Sequence, residues 1–194
     1  MEALTVRFVG PFSWLGTADA PSIFEGECSR GPGIYLWAVA RPEGYLVYYV
    51  GETGRSFAVR MQEHYKEHAA CFYHLYSPAE FATGVKLLVW PGRYDPEEER
   101  STIECVGQYS RLAPYVAELT SLYRFLVAPL SADARVRRRI EAALALSLYS
   151  QPDPIGSFQD RGIRYSPRLP EEDPIPCNFA SVVPVLGLPG SLSI

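Results

Sequence analysis

Apolar and polar positions change period along this chain, and the changes divide it into elements. Residues 4–9 alternate as Leu-Thr-Val-Arg-Phe-Val, the period of a half-buried strand. Residues 10–32 are interrupted by Gly and Pro and predict an irregular lead-in. Residues 33–40 and 45–51 are both dense in Tyr, Val, Leu and Ile, and Arg41-Pro42-Glu43-Gly44 between them is turn chemistry. The pair is expected as an antiparallel hairpin. Ser56 then offers an N-cap to a helix in which Phe57, Met61 and Tyr65 form an apolar stripe, with Arg60, His64 and His68 on the stripe beside it. His68, His74 and Lys66 are expected at the surface. Residues 85–90, Val-Lys-Leu-Leu-Val-Trp, are strand-sized and nearly all apolar, and Pro91-Gly92 ends the run, so they are expected as a central strand.

Beyond Trp90 the pattern weakens. A short helix is expected within 101–109. Val116, Leu119, Leu122, Tyr123 and Leu126 recur at helical spacing, so a helix is expected over 115–126, ended by Pro129. Ser131 or Asp133 caps a last long helix over 134–149, with Val136, Ile140, Ala143, Leu144 and Leu148 on its apolar face and Glu141 at the border of that face. Pro152 and Pro154 end it. From 151 to 194 the chain is rich in Pro, Gly and Ser without a strong period, the pattern of an extended tail that is ordered by packing or not at all.

Composition changes this picture little. A chain of 194 residues, 47% hydrophobic and 21% charged, suffices for one core, so one domain over 1–194 is expected. No apolar run approaches a membrane span, and the N-terminus lacks a basic segment followed by an apolar one. Cys28, Cys71, Cys105 and Cys177 are far apart, the expectation for reduced thiols in a cytoplasmic protein. The net charge of −4 argues mildly against a nucleic-acid partner. Six acids, however, lie in two runs, 97–99 and 171–173, while Arg135, Arg137, Arg138 and Arg139 cluster. A local basic face can bind phosphate on an acidic molecule, so these four arginines and Arg55 are candidate nucleic-acid contacts.

One constellation carries chemistry. Gly33-Ile34-Tyr35 opens the first hairpin strand and Tyr49-Val50-Gly51 closes the second, while Arg60 and His64, one turn apart, share a face of the next helix. This ordered set, extended by Thr53 and by Glu141 on the late helix, resembles the GIY-YIG nuclease family, closest to its restriction-endonuclease-like branch through His64. The resemblance covers residues 33–153 in islands. It implies an α+β fold: a small three-stranded antiparallel sheet flanked by helices, with 85–90 as its third strand; the stretch from Arg60 to Glu141 is longer than the family's pattern needs, which implies a helical insertion over 93–130, followed by the tail.

The resemblance also implies a divalent-metal-dependent endonuclease that hydrolyses phosphodiester bonds in DNA. Glu141 would hold one Mg²⁺ or Mn²⁺ through oxygen ligation. Arg60, permanently charged, would neutralise the phosphate but cannot act as base. Tyr35 would be the general base, although a free phenol has a pKa of about 10. His64 is the rival base, with an unperturbed pKa of about 6.5. Tyr49 would hydrogen-bond the phosphate or the attacking water. A restriction-type enzyme cuts both strands, which a homodimer would fit. The family's pattern places an Asn about a dozen residues beyond the Glu; here that place falls near Asp153, with Gln159 a later candidate. This departure supports a second expectation, an inactive scaffold that binds nucleic acid or regulates. The alternative for Glu141 is an ion pair with Arg137 or Arg138.

Overall fold

The computed structural model describes residues 3–93, 102–160 and 164–194; the expected acidic run at 97–99 and the start of the helix expected at 101–109 lie outside them. Strand β1 (Leu4–Phe12) leads through an irregular stretch to the hairpin β2 (Gly33–Arg41) and β3 (Gly44–Thr53). Helix α1 (Phe57–Ala69) follows, capped by the Ser56 hydroxyl, which accepts from the Val59 N–H. Then come β4 (Leu75–Tyr76), α2 (Pro78–Ala82), β5 (Leu88–Trp90), α3 (Thr102–Leu122), β6 (Tyr123–Pro129) and α4 (Ala134–Tyr149), the last capped by Asp133. The chain closes with α5 (Ile155–Phe158), β7 (Pro176–Ser181) and β8 (Ser191–Ser193).

The class is α+β, but the small three-stranded antiparallel sheet is not what forms. The main sheet is six-stranded, mixed and curled, in the order β3-β2-β6-β1-β7-β8, and β1 and β7 run parallel. The strand expected third is not in it. Of residues 85–90 only 88–90 are strand, and β5 pairs with β4 in a separate two-stranded ladder. Its apolarity misled: Val85, Leu87 and Leu88 are about half exposed rather than core. The place beside β2 belongs to β6, whose first residues carry helical spacing in the sequence. Helix α3 ends at Leu122 and the chain enters β6 without a loop. Tyr123, Phe125 and Val127 are buried on one face and Leu126 and Ala128 on the other, so this strand has no alternation to betray it. The helical insertion therefore shrinks to α3. The tail is structural: β7 pairs along β1 from Leu4↔Cys177 to Phe8↔Ser181, and β8 pairs with β7.

Period-2 alternation sorts the hairpin onto two cores. Tyr35, Trp37 and Val39 face α1, α2 and α3, where Phe57, Met61, Phe81, Leu112 and Leu119 are buried. Ile34, Leu36 and Ala38 face α4 through Ile140, Leu144 and Leu148. Because β3 is the sheet's edge, the helices on both faces can reach past it. Several of its backbone groups that point away from the sheet are covered. The Tyr45 N–H donates to the Pro184 carbonyl (2.9 Å) and its carbonyl accepts from Leu186 (3.0 Å). Gln159 Nε2 donates to the Val47 carbonyl (2.7 Å), the Asp160 N–H to Tyr48 (2.7 Å), and the Glu52 N–H to Glu141 Oε1 (3.1 Å).

If the C-terminal segment is an integral part of the sheet, Phe179, buried on β7, is a core residue. Phe179→Ala is expected to cost about 3 kcal/mol in denaturant unfolding; a loosely wrapped tail would leave the midpoint unchanged.

Candidate active site at the sheet edge

Tyr35 and Gly51 are cross-strand partners in the β2–β3 ladder. A Cβ on Gly51 would collide with Tyr35 Cζ and its hydroxyl. The glycine therefore lets the tyrosine ring lie across the edge strand. Gly33 has a related role, since a Cβ there would overlap the Ala128 carbonyl of β6 and crowd Phe57 of α1. The two outer glycines of the paired tripeptides thus let strand, helix and ring approach closely.

The Tyr35 hydroxyl lies 2.9 Å from His64 Nε2, and Arg60 Nε donates to it at 3.4 Å. His64 Nδ1 is 2.7 Å from the Tyr73 hydroxyl, which donates to Glu67 Oε2 at 2.5 Å. These contacts fix the direction of the chain. Tyr73 gives its proton to Glu67, so its oxygen accepts Nδ1–H; Nε2 is then the bare nitrogen and accepts the Tyr35 O–H, whose oxygen accepts from Arg60. Burial, with Arg60 and His68 nearby, holds His64 well below the usual histidine range, so the imidazole is neutral. Burial pushes the Tyr35 phenol up, and Arg60 opposes that rise. Burial would by itself lower Arg60, but Tyr35, Tyr49 and Glu63 together more than compensate and the guanidinium stays charged. Its Nη1 also meets Glu63 (3.3 Å), a solvent-accessible contact that Glu63 shares with Arg55 (2.6 Å). Tyr49 packs beside Tyr35 with ring centroids 6.0 Å apart, and burial raises its phenol well above the ordinary value.

Glu141 arrives from α4, on the opposite face. Burial and the neighbouring Glu52 raise its carboxyl to about 7. It is not paired with Arg137 or Arg138. Both arginines meet Glu52 instead, Arg137 at 2.9 Å and Arg138 at 3.8 Å, while Glu141 holds the Glu52 backbone N–H. Glu141 is close enough to Tyr35, Tyr49 and Arg60 to be felt electrostatically by the two phenols and the guanidinium. The described residues contain no cluster of three or more His, Cys, Asp or Glu able to hold a metal. A closed zinc-type site therefore does not fit, whereas a hydrated Mg²⁺, which uses one or two carboxylates and keeps several waters, does. A partly buried carboxyl with a second carboxylate beside it is a place where a cation relieves both the burial cost and the repulsion.

Of the basic candidates, Arg138 and Arg55 are each 57% exposed at the side chain. The others serve the fold. Arg135 binds Glu172 (2.6 Å) and the carbonyls of Ser166 and Pro167. Arg137 is buried against Glu52 and the Ala132 carbonyl, and Arg139 Nη2 donates to the carbonyls of Asp173 and Ile194, both at 2.6 Å. Gln159 is buried with its amide nitrogen donating to the Val47 carbonyl, and Asp153 is exposed. Lys66 is exposed as expected, His74 is half-buried and accepts from the Gly92 N–H (3.1 Å), and His68 is 1% exposed rather than at the surface. Sequence reasoning missed Tyr73 and Glu67. Glu67 carries a signal, one turn after His64 on α1. Tyr73 carries none: it comes back to the helix because Cys71 takes the left-handed conformation (φ 58°) and reverses the chain.

Tyr49, Arg60, His64, Glu67 and Tyr73 all line a cavity of about 350 Å³. The four cysteines are free thiols, and among the described residues no helix is long and apolar enough to cross a membrane. Comparison of the chain with models of protein families, with curated protein sequences and with solved structures returned no match to any of them.

The raised Glu141 has a signed consequence. Its folded pKa of about 7 exceeds the ordinary 4.5, so the folded state binds this proton more tightly, and stability falls as pH rises between those values. Glu141→Gln, which keeps an acceptor for the Glu52 N–H, is expected to gain about 2 kcal/mol at pH 8 and almost nothing at pH 4, measured by urea unfolding at both.

Proposed function

We propose that the protein is a divalent-metal-dependent endonuclease that hydrolyses phosphodiester bonds in DNA, built on a GIY-YIG-like constellation. One observation carries this reading: the Tyr35 hydroxyl is shared between a neutral His64 and a charged Arg60, within electrostatic reach of Glu141. The resemblance of Gly33-Ile34-Tyr35 and Tyr49-Val50-Gly51 to that family supports it, although the six-stranded sheet is larger than the resemblance implied.

Tyr35 and His64 act in series rather than as rivals. As water attacks phosphorus, its proton passes to the Tyr35 oxygen while the Tyr35 proton moves to His64 Nε2. The resulting imidazolium keeps its Nδ1–H on Tyr73, which Glu67 backs. Because His64 is neutral, it is already in its accepting form at neutral pH. Arg60 exchanges its long, solvent-accessible contact with Glu63 for a phosphate oxygen and neutralises charge as the new P–O bond forms and the bond to the leaving sugar oxygen breaks. Tyr49 positions the phosphate. A Mg²⁺ or Mn²⁺ ion held by Glu141 would supply Lewis-acid neutralisation and assist the leaving oxygen.

A second reading, a scaffold that binds nucleic acid without cutting it, is favoured by a specific observation: Tyr35 is fully buried. Plasmid cleavage separates the two. With Mg²⁺ or Mn²⁺ the purified protein is expected to nick or linearise plasmid DNA. Glu141→Ala and Tyr35→Phe should each fall at least about a hundredfold. Binding of the same plasmid without cleavage would select the scaffold. The rate should rise with pH through a midpoint near 7, set by Glu141. That midpoint should move to lower pH as metal concentration increases, because cation and proton compete for one carboxylate; a midpoint insensitive to metal would remove Glu141 as the ligand.

A further inference from the structure

Beside the relay, the cavity of about 350 Å³ that Arg60 lines is also lined by Trp37, Tyr48, His68, Phe72 and Tyr123, with His74, Gly92 and Asp160. Its mouth and floor differ in character. The Arg60 side chain is 31% exposed, whereas Trp37 is 4% and His68 1% exposed. On the floor, Trp37 Nε1 and both ring nitrogens of His68 are buried with no hydrogen-bond partner. Buried polar groups are nearly always paired, and three orphans on two residues that line one cavity mark a place built to hold something. The demand is specific: an acceptor for the indole N–H, and one donor and one acceptor for the imidazole. Burial depresses His68 to about 4, so that ring is neutral and offers one of each. The walls are aromatic, and Glu67 and Asp160 also line the space, which disfavours an anion on the floor.

We propose that this cavity seats a nucleobase unstacked from the nucleic-acid strand, its faces against the aromatic walls and its polar edge on Trp37 and His68, with its phosphate held at the mouth by Arg60. Flat heterocycles carrying donors and acceptors on one edge satisfy all three orphans, and an aromatic-walled pocket is the form in which proteins hold an extruded base. The volume lies within the range that takes small organic ligands, from about 300 Å³ upward. The inference rests on the nuclease reading for the identity of the strand, but not on hydrolysis.

The experiment is titration of the wild-type protein with the four deoxynucleoside 5′-monophosphates, followed through the histidine ring resonances, with His68→Phe assigning them and inorganic phosphate as the control. At least one mononucleotide is expected to shift the His68 ring, whereas phosphate alone should leave it unmoved. His68→Phe is expected to weaken mononucleotide binding at least tenfold while raising the melting temperature, because an orphaned polar ring is replaced by an apolar one. In single-stranded oligonucleotides bound to the non-cleaving Glu141→Gln variant, a 2-aminopurine is expected to lose fluorescence on stacking in the cavity. An unmoved His68 at millimolar nucleotide, or a His68→Phe protein that is less stable and binds nucleotide equally well, would overturn the inference in favour of water filling the cavity. Nucleotide binding by a protein that cuts no plasmid would sink the nuclease reading alone; cleavage without a base in the cavity would sink this inference alone.

Discussion

The crossing of Tyr35 over Gly51 is the constraint on which the geometry around His64 and Arg60 depends. A side chain at Gly51 would push the ring off the edge strand and with it the hydroxyl that meets His64 and Arg60. The helix carrying those two residues is fixed by Phe57 and Met61 in the same core as Tyr35. The ring therefore couples the register of a hairpin to the rotation of a helix, and neither can change without breaking the hydrogen-bond chain that ends at Glu67. Its burial follows from the same crossing: the phenol is enclosed by the elements it joins.

Charge is arranged to suit this enclosure. The four arginines near the start of α4 look from the sequence like a phosphate-binding strip, yet three of them hold the chain together: Arg135 and Arg139 secure the C-terminal segment, and Arg137 meets Glu52. Glu52 takes Arg137 and Arg138 through its carboxylate and offers its backbone to Glu141. The division leaves Glu141 partly buried beside the Glu52 carboxylate, and that burial, with the neighbouring charge, retains its proton to near neutrality.

What the sequence revealed depended on period. The hairpin, the helix after Ser56 and the helix over Ala134–Tyr149 carry clean periods and caps, and the structure has them at those places. Strand β6 is buried on both faces and follows α3 without a turn, so its apolar residues continue the helical spacing by coincidence. Strand β7 alternates for only a few residues among prolines, and its pairing with β1 joins opposite ends of the chain, which no local pattern encodes. At the site, Tyr35, Arg60, His64 and Glu141 were legible as a set, because a short hairpin and a helix bring three of them together. Tyr73 and the buried His68 were not. One depends on a left-handed residue at Cys71, the other on a cavity that exists only once the sheet has curled.

The partly covered outer side of β3 bears on how copies of the chain can meet. An open strand edge invites a neighbour to add a strand, whether in an ordered dimer or in an aggregate. Here Pro184, Leu186, Gln159, Asp160 and Glu141 already occupy positions that an incoming backbone would need. A second copy therefore cannot add a strand along β3 without first displacing these groups, and an assembly of copies that leaves the fold intact has to form through other surfaces.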